Sequence, residues 1–484
     1  MTLMTPIAPV NAQASTLARM LERQRSAQAV EGPPNLATRI GRIDRVIALL
    51  ADNADAFAAA LSADFGHRSK EVSLFADVAA TIGTLKYAKA NIARWMRPEK
   101  RRVTPTILGL LGARATVEYV PKGVVGVISP WNFPVNLALA PLGAIFAAGN
   151  RVMIKPSEFT PETSALMARL VASAFDETEV IVVTGGADVG AAFASLPFDH
   201  LLFTGATGVG RKVAMAAAQN LVPVTLELGG KSPVILGDSA DLSLAARRIL
   251  AGKTLNAGQI CLAPDYVLVP REKVAAFADA ARAAVAEMYP SLKDNPDYGS
   301  VINRRHYERL TGYLEDARAK GAQIVPLGPP HENLTQQPFH KLPPILVLNP
   351  ADDMAVMQEE IFGPILPVVA HDGIADAIAQ VNRRQSPLGL YYFGKDASEE
   401  RTVLAGTLSG GVTVNDVIMH YAMEDLPFGG IGPSGMGAYH GIEGFRTFSH
   451  ARAVYRQAGI DVAKMMRPPY GAAIRKLIAG AIKT

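Results

Sequence analysis

The 484-residue chain carries a single cysteine, Cys261, which excludes any disulfide within the chain and fits a reducing compartment. It also carries little net charge, +4 from 48 basic and 44 acidic residues, with no dense Lys/Arg tract interleaved with aromatics. A nucleic-acid partner is therefore not expected. Long apolar runs are absent too. The most apolar window, FPVNLALAPLGAIFAAG at residues 133–149, is too short for a bilayer and is interrupted by Asn136 and Pro141, which predicts a buried helix. The N-terminal MTLMTPIAPVNAQASTLARMLERQR has no basic segment leading into an apolar one, so no secretory signal is read and the cytoplasm is the expected location. The C-terminal VAKMMRPPYGAAIRKLIAGAIKT sets basic residues beside an apolar stripe, and docking on the protein or a partner subunit is expected there rather than stable membrane association.

What is present describes a large soluble enzyme. A chain of this length exceeds what one hydrophobic core organises, and 49% hydrophobic with 19% charged residues leaves ample material to bury. Apolar positions recur at three and four through the first hundred residues, a helical period. Between residues 124 and 235 the period changes. Short β-branched runs (VVGVIS, RVMIKP, EVIVVTG, HLLFTG, VTLELGG) alternate with Ala-rich helical stretches, the pattern of parallel βαβ units. A second alternation runs from the helical stretch ahead of Cys261 through DYVLVP, AQIVPLG, GLYYFG and GGVTVND. Two doubly wound α/β lobes are expected, with the weakly alternating segment at residues 102–123 as a small arm.

Four stretches carry candidate chemistry. In HLLFTGATGVGRKVAMAAAQN, Gly205, Gly208 and Gly210 stand at a strand-to-helix turn where backbone can approach phosphate, although a plain tight turn explains the glycines equally well. In MIKPSE, Lys155 and Glu158 follow a strand's carboxyl end, the edge where open α/β sheets bind ligands; a solvated pair is the plain alternative. In SPWNFP, prolines stiffen a loop that could aim the Asn132 amide at developing negative charge, or merely let it satisfy the turn. In ELGGKSP, Glu227 ends an apolar strand ahead of paired glycines, as a poised base or a turn cap. The residues by themselves leave each pair of readings open.

Their order narrows the choice. SPWNFP, FTGATGVG, ELGGKSP, GQICLAPDY, EEIFGPILPV and LPFGGIGPSGMGAYHG follow one another as in the aldehyde dehydrogenase superfamily, which the chain resembles from about Leu17 to about Ala453. GQICLAPDYVLVP, VTVNDVIMH and SGMGAYHG are similar to the class 3 branch, and EGPPNLATRI, DFGHRS and TGGADVGAAFASLPFDHLLFTG to its bacterial coniferyl aldehyde dehydrogenases.

The resemblance implies two Rossmann-like lobes with a small β oligomerisation arm. A NAD-binding domain falls at 1–101 and 124–226, a catalytic domain at 227–410, a bridging arm at 102–123 and 411–450, and a tail at 451–484. It makes Cys261 the nucleophile, Asn132 an oxyanion donor beside the Cys261 backbone N–H, and Glu227 the water-activating base. Lys155 and Glu158 fall where the family holds the adenosine ribose. Gly205, Thr207 and Gly210 fall at the pyrophosphate turn, and Glu360 with Phe362 at the nicotinamide ribose. His420 and Tyr421 are candidate neighbours of the substrate pocket. NAD is the expected cofactor, since Glu158 should repel a 2′-phosphate, with NADP use left open because class 3 relatives carrying this glutamate can take both. No metal is expected, and a homodimer is. Ala206 departs from the Ser or Asn that many relatives carry, leaving backbone amides to hold phosphate. A free thiol titrates near 8.5, so the site is expected to depress the pKa of Cys261. The implied reaction oxidises an aldehyde, aromatic phenylpropenoid types foremost, with medium-chain aliphatic or benzaldehyde-type substrates also open. Rival chemistries are acyl transfer to CoA and cofactor-free ester hydrolysis, and a catalytically silent homologue is the rival of a different class.

Overall fold

Apolar residues spaced three and four apart wind the first hundred residues into helices at Val10–Glu31, Leu36–Asp52, Ala54–Phe65 and Ala80–Trp95. Asn35 caps the second, its side chain accepting from the Thr38 N–H at 2.9 Å. A π-helical turn, Ser73–Ala79, leads into the fourth. This is a computed structural model, and it describes residues 10–334, 337–461, 464 and 466–483. The first nine residues of the segment read above for a secretory signal lie outside the described residues, as do Val462, Ala463, Met465 and Thr484 of the tail.

The first alternating region forms a six-stranded sheet. Its order is Gly435–Met436, Val224–Glu227, His200–Thr204, Val124–Ile128, Arg151–Lys155 and Val180–Val182, parallel except for the first strand. The second region forms a seven-stranded sheet in the order Gln323–Pro326, Ile345–Leu348, Ile365–His371, Tyr266–Pro270, Pro233–Leu236, Gly389–Phe393 and Gly411–Val414. Only its Gln323–Pro326 edge is antiparallel. Both are near-continuous runs of buried β-branched and aromatic residues, as expected for strands covered on both faces. The fold is thus the expected α/β architecture of two parallel, doubly wound sheets plus a small β arm.

The arm is a three-stranded antiparallel sheet with Arg114–Pro121 between Glu99–Arg101 and Ser449–Arg456. These pairings carry strands across the domain boundaries expected at 101 and 451, and the pairing of Gly389–Phe393 with Gly411–Val414 carries one across that at 410. Ladder hydrogen bonding, which joins segments hundreds of residues apart, is invisible to local period. The apolar window at 133–149 divides into buried helices Asn136–Leu139 and Leu142–Ala148 around Pro141; the longer one packs on Leu36–Asp52, Ala80–Trp95 and Gly441–Thr447. Among the described residues no single helix is long and apolar enough to cross a membrane. In the tail, helix Ala472–Ile482 buries Ile474 and exposes Leu477, Ile478 and Ile482.

Candidate active site

Strands Arg151–Lys155, His200–Thr204 and Val224–Glu227 run parallel, so their carboxyl ends share one edge of the sheet. A cavity of about 880 Å³ opens there, between the two sheets' loops. Asn132, Gly205, Thr207, Glu227, Cys261, Glu360 and Phe362 all line it. Residues scattered across 230 positions of sequence are therefore brought to one cleft. Lys155, Glu158, Gly210, His420 and Tyr421 are not among its lining residues. Lys155 is buried, with Nζ donating to the Pro156 carbonyl at 2.7 Å and lying 3.5 Å from Glu158 Oε2. Gly210 serves packing, since a Cβ there would stand 2.6 Å from Leu228. His420 is buried against Thr413, and the Tyr421 hydroxyl donates to Asn136 at 2.7 Å.

The approach to Cys261 is less regular than its sequence suggests. Helix Leu242–Thr254 stops seven residues before the thiol, where a continuous helix into Cys261 is the sequence expectation. Asn256, Ala257 and Gly258 then take left-handed backbone, at φ 49, 52 and 73°. That reversal costs strain at Asn256 and Ala257. Burial and hydrogen bonds hold it in place. Gln259 donates to the carbonyls of Asn256 and Ser300 at 2.9 and 3.0 Å and accepts from the Ile302 N–H at 2.8 Å. A Cβ on Gly258 would overlap the Gly363 carbonyl, so only glycine fits. Cys261 emerges half-buried at the cavity.

Glu227 is 3% exposed, and neither carboxylate oxygen has a partner. Burial therefore raises its pKa well above the ordinary carboxylate range. Burial, followed by the charges of Glu360 and Glu227, pushes the Cys261 thiol up to about 12. That reverses the expected depression: the local protein charges are carboxylates, which disfavour a thiolate. Glu360 itself is pushed up to about 8, chiefly by burial and then by Asp265.

The loop bearing Glu360 and Phe362 is held from several sides. Lys231 pairs with Asp265 and donates to the carbonyls of Val356 and Glu359, the latter two at 2.6 and 2.9 Å. Asp265 Oδ2 accepts from the Ile361 N–H, and Arg309 donates to the Ile361 carbonyl, both at 2.9 Å. Phe362, with φ 48°, meets Trp131 edge-on at 5.3 Å. Lys231, Arg309 and Trp131 escape a motif reading because a lysine after paired glycines and an arginine within a polar helix, Arg304–Ala319, look solvated, and Trp131 sits in SPWNFP overshadowed by the amide beside it. The sequence signal for Lys231 was its place in ELGGKSP.

A cleft at the carboxyl ends of parallel strands, lined by a lone thiol, a buried carboxyl and a glycine turn at a helix N-terminus, is the architecture of a two-lobed α/β dehydrogenase. The model of the aldehyde dehydrogenase family matches residues 5–454. A protein from Caulobacter vibrioides named "Probable coniferyl aldehyde dehydrogenase" is 58% identical, covering 98% of this chain and 99% of its own. The coniferyl aldehyde dehydrogenase of a Pseudomonas species is 53% identical, covering 99% and 98%. A solved indole-3-acetaldehyde dehydrogenase complexed with NAD+ superimposes with a TM-score of 0.83 at 27% identity, over 92% of this chain and 89% of that one. The chain belongs to the aldehyde dehydrogenase family and is an enzyme of aldehyde oxidation.

The cleft fits a nicotinamide dinucleotide. Helix Thr207–Ala218 presents its N-terminus there, and Ala206 at the cap offers no side-chain hydrogen bond, so the Thr207 and Gly208 amides, ahead of the first bonds from Val209 and Gly210, are placed for phosphate. Gly208 lines the cavity with open space where a Cβ would stand, and Arg211 and Arg309 add positive charge on its wall.

Proposed function

We propose that this protein oxidises an aromatic phenylpropenoid aldehyde, such as coniferyl aldehyde, to its carboxylic acid with NAD. The observation that carries the reading is the meeting of Cys261, Asn132 and Glu227 on one cavity; the 53–58% identical relatives support the substrate class. Cys261 Sγ adds to the aldehyde carbon as the thiolate, its proton released to solvent, and the carbonyl oxygen becomes an oxyanion, accepting from the Asn132 amide and the Cys261 backbone N–H. A bound nicotinamide would supply the hydride acceptor that lets the oxyanion collapse to a thioester, and Cys261 Sγ holds the acyl group. Glu227 takes a proton from water as the water's oxygen attacks the thioester, and the thiolate leaves with the acid formed.

Lys155 and Glu158 recognise the adenosine ribose, Gly205 and Thr207 shape the phosphate turn while Gly210 lets its helix pack close on Leu228, and Glu360 and Phe362 hold the nicotinamide ribose. Glu158, next to Lys155, disfavours a 2′-phosphate, which supports NAD over NADP. The three-stranded arm offers a pairing surface for a homodimer, and the lone cysteine suits the cytoplasm. The test is an aldehyde panel assayed with both cofactors. Highest kcat/KM for coniferyl-type aldehydes with NAD supports the reading; a preference for aliphatic aldehydes or benzaldehydes moves the substrate class, and no reduced cofactor with any aldehyde rejects it.

A further inference from the structure

Beneath the SPWNFP loop lies an ion pair with no contact to the cavity. Arg68 and Asp77 side chains are 1% and 0% exposed, with Nη2 and Oδ2 2.7 Å apart. Neither residue lines the cleft. Arg68 Nη1 donates to the main-chain carbonyl of Asn132 at 3.1 Å. The other carboxylate oxygen, Asp77 Oδ1, accepts from the N–H groups of Val135 and Asn136 at 3.1 and 3.0 Å. One pair thus grips both ends of residues 132–136.

The grip is itself braced. Asp77 sits in the π-helical turn Ser73–Ala79, a rare geometry that recurs at functional sites. The Arg68 guanidinium lies 4.8 and 5.0 Å from the rings of Phe65 and Phe133. A buried ion pair is a poor device for stability alone, because well-packed apolar residues usually serve as well. A guanidinium fork and a carboxylate that bond each other and, between them, three main-chain groups of the loop do fix orientation. The group oriented is Asn132, whose carbonyl also accepts from Asn256 at 3.0 Å, joining the loop to the turn before Cys261.

We propose that the Arg68–Asp77 pair positions Asn132, setting the distance between its amide and Cys261 Sγ; the proposal rests on the reading of Asn132 as an oxyanion donor. Arg68 and Asp77 are positioning residues and touch neither substrate nor cofactor.

The experiment measures the rate of reduced-cofactor formation before steady state, with coniferyl aldehyde and NAD, in a double-mutant cycle. Arg68→Met is expected to lose about 10- to 100-fold alone, the scale of a misplaced catalytic group, and under about threefold when Asn132 is already Ala. Arg68→Lys should recover part of the loss. Alkylation of Cys261 by iodoacetamide should stay within about threefold of wild type in each variant, since Gln259's bonds to Asn256, Ser300 and Ile302 still hold the turn before the thiol. If Arg68→Met fails to fold, Asp77→Asn, which keeps the shape, replaces it in the same cycle. Equal losses in both backgrounds overturn the proposal. Asn132→Ala alone without loss overturns instead the reading on which it rests, a result read without any change at Arg68.

Discussion

The side-chain amide of Asn132 donates to the carbonyl oxygen of Gln259 at 3.0 Å, two residues before Cys261. That bond uses one amide hydrogen and leaves the other for the cavity that Asn132 and Cys261 share. Asn132→Ala should lower kcat by about 10² to 10³, the usual loss of one preorganised donor, with NAD affinity unchanged. Steady-state kinetics and a cofactor titration check both parts.

A Cβ on Gly229 would overlap the carboxylate of Glu360. Gly229→Ala should therefore push Glu360 aside. The expected result is a raised KM for NAD and a kcat lowered by up to about 10², with the thermal midpoint little changed because the displaced group is a side-chain end. Unchanged cofactor kinetics would separate Glu360 from the cofactor site.

The thiol should respond to the charge beside it. Cys261 is pushed up to about 12, so alkylation by iodoacetamide without cofactor should rise with pH and show no plateau below pH 10. Glu360 titrates near 8 and raises the thiol pKa when ionised. Above that pH, Glu360→Gln removes a negative charge, lowers the thiol pKa and should accelerate alkylation. A slower reaction would contradict the electrostatic account.

Lys155 is buried and the exposed Glu158 stands 3.5 Å from it; on the proposed reading the Glu158 carboxylate meets the ribose and repels an added phosphate. Glu158→Gln should shift the ratio of kcat/KM values toward NADP. A ratio that does not move would remove Glu158 from cofactor choice.

The two wound sheets were legible because parallel strands buried on both faces are written as short β-branched runs, VVGVIS and HLLFTG among them. Cys261, Asn132 and Glu227 were singled out by the order of the motifs that carry them, each motif alone being ambiguous, and the fold brings all three to one cavity. The turn before Cys261 was not. Its left-handed Asn256 and Ala257 are ordinary helix-compatible residues in sequence, and the reversal rests on contacts distant in sequence, Gln259 with Ser300 and Ile302 and Gly258 against Gly363. Arg68 and Asp77 were missed for a related reason. In DFGHRSKEVSLFAD they look like solvated charges, and their burial comes from a loop more than 50 residues away. The high thiol pKa was likewise missed, since its chief cause, burial, and its second, the charge of Glu360 99 positions beyond Cys261, both come only with the fold.

The central claim is that Cys261 carries the acyl group and Glu227 releases it. Burial raises the pKa of Glu227, so its ionised, base-competent fraction grows with pH, and the acid limb of kcat in the wild type should lie well above the ordinary value of about 4.3. The most direct test mixes Glu227→Gln enzyme with coniferyl aldehyde and NAD. The account predicts one rapid equivalent of reduced cofactor, then turnover slower by about 10² or more, with the acyl adduct found on Cys261 by mass spectrometry. Undiminished steady turnover, or an adduct on any other residue, would contradict it.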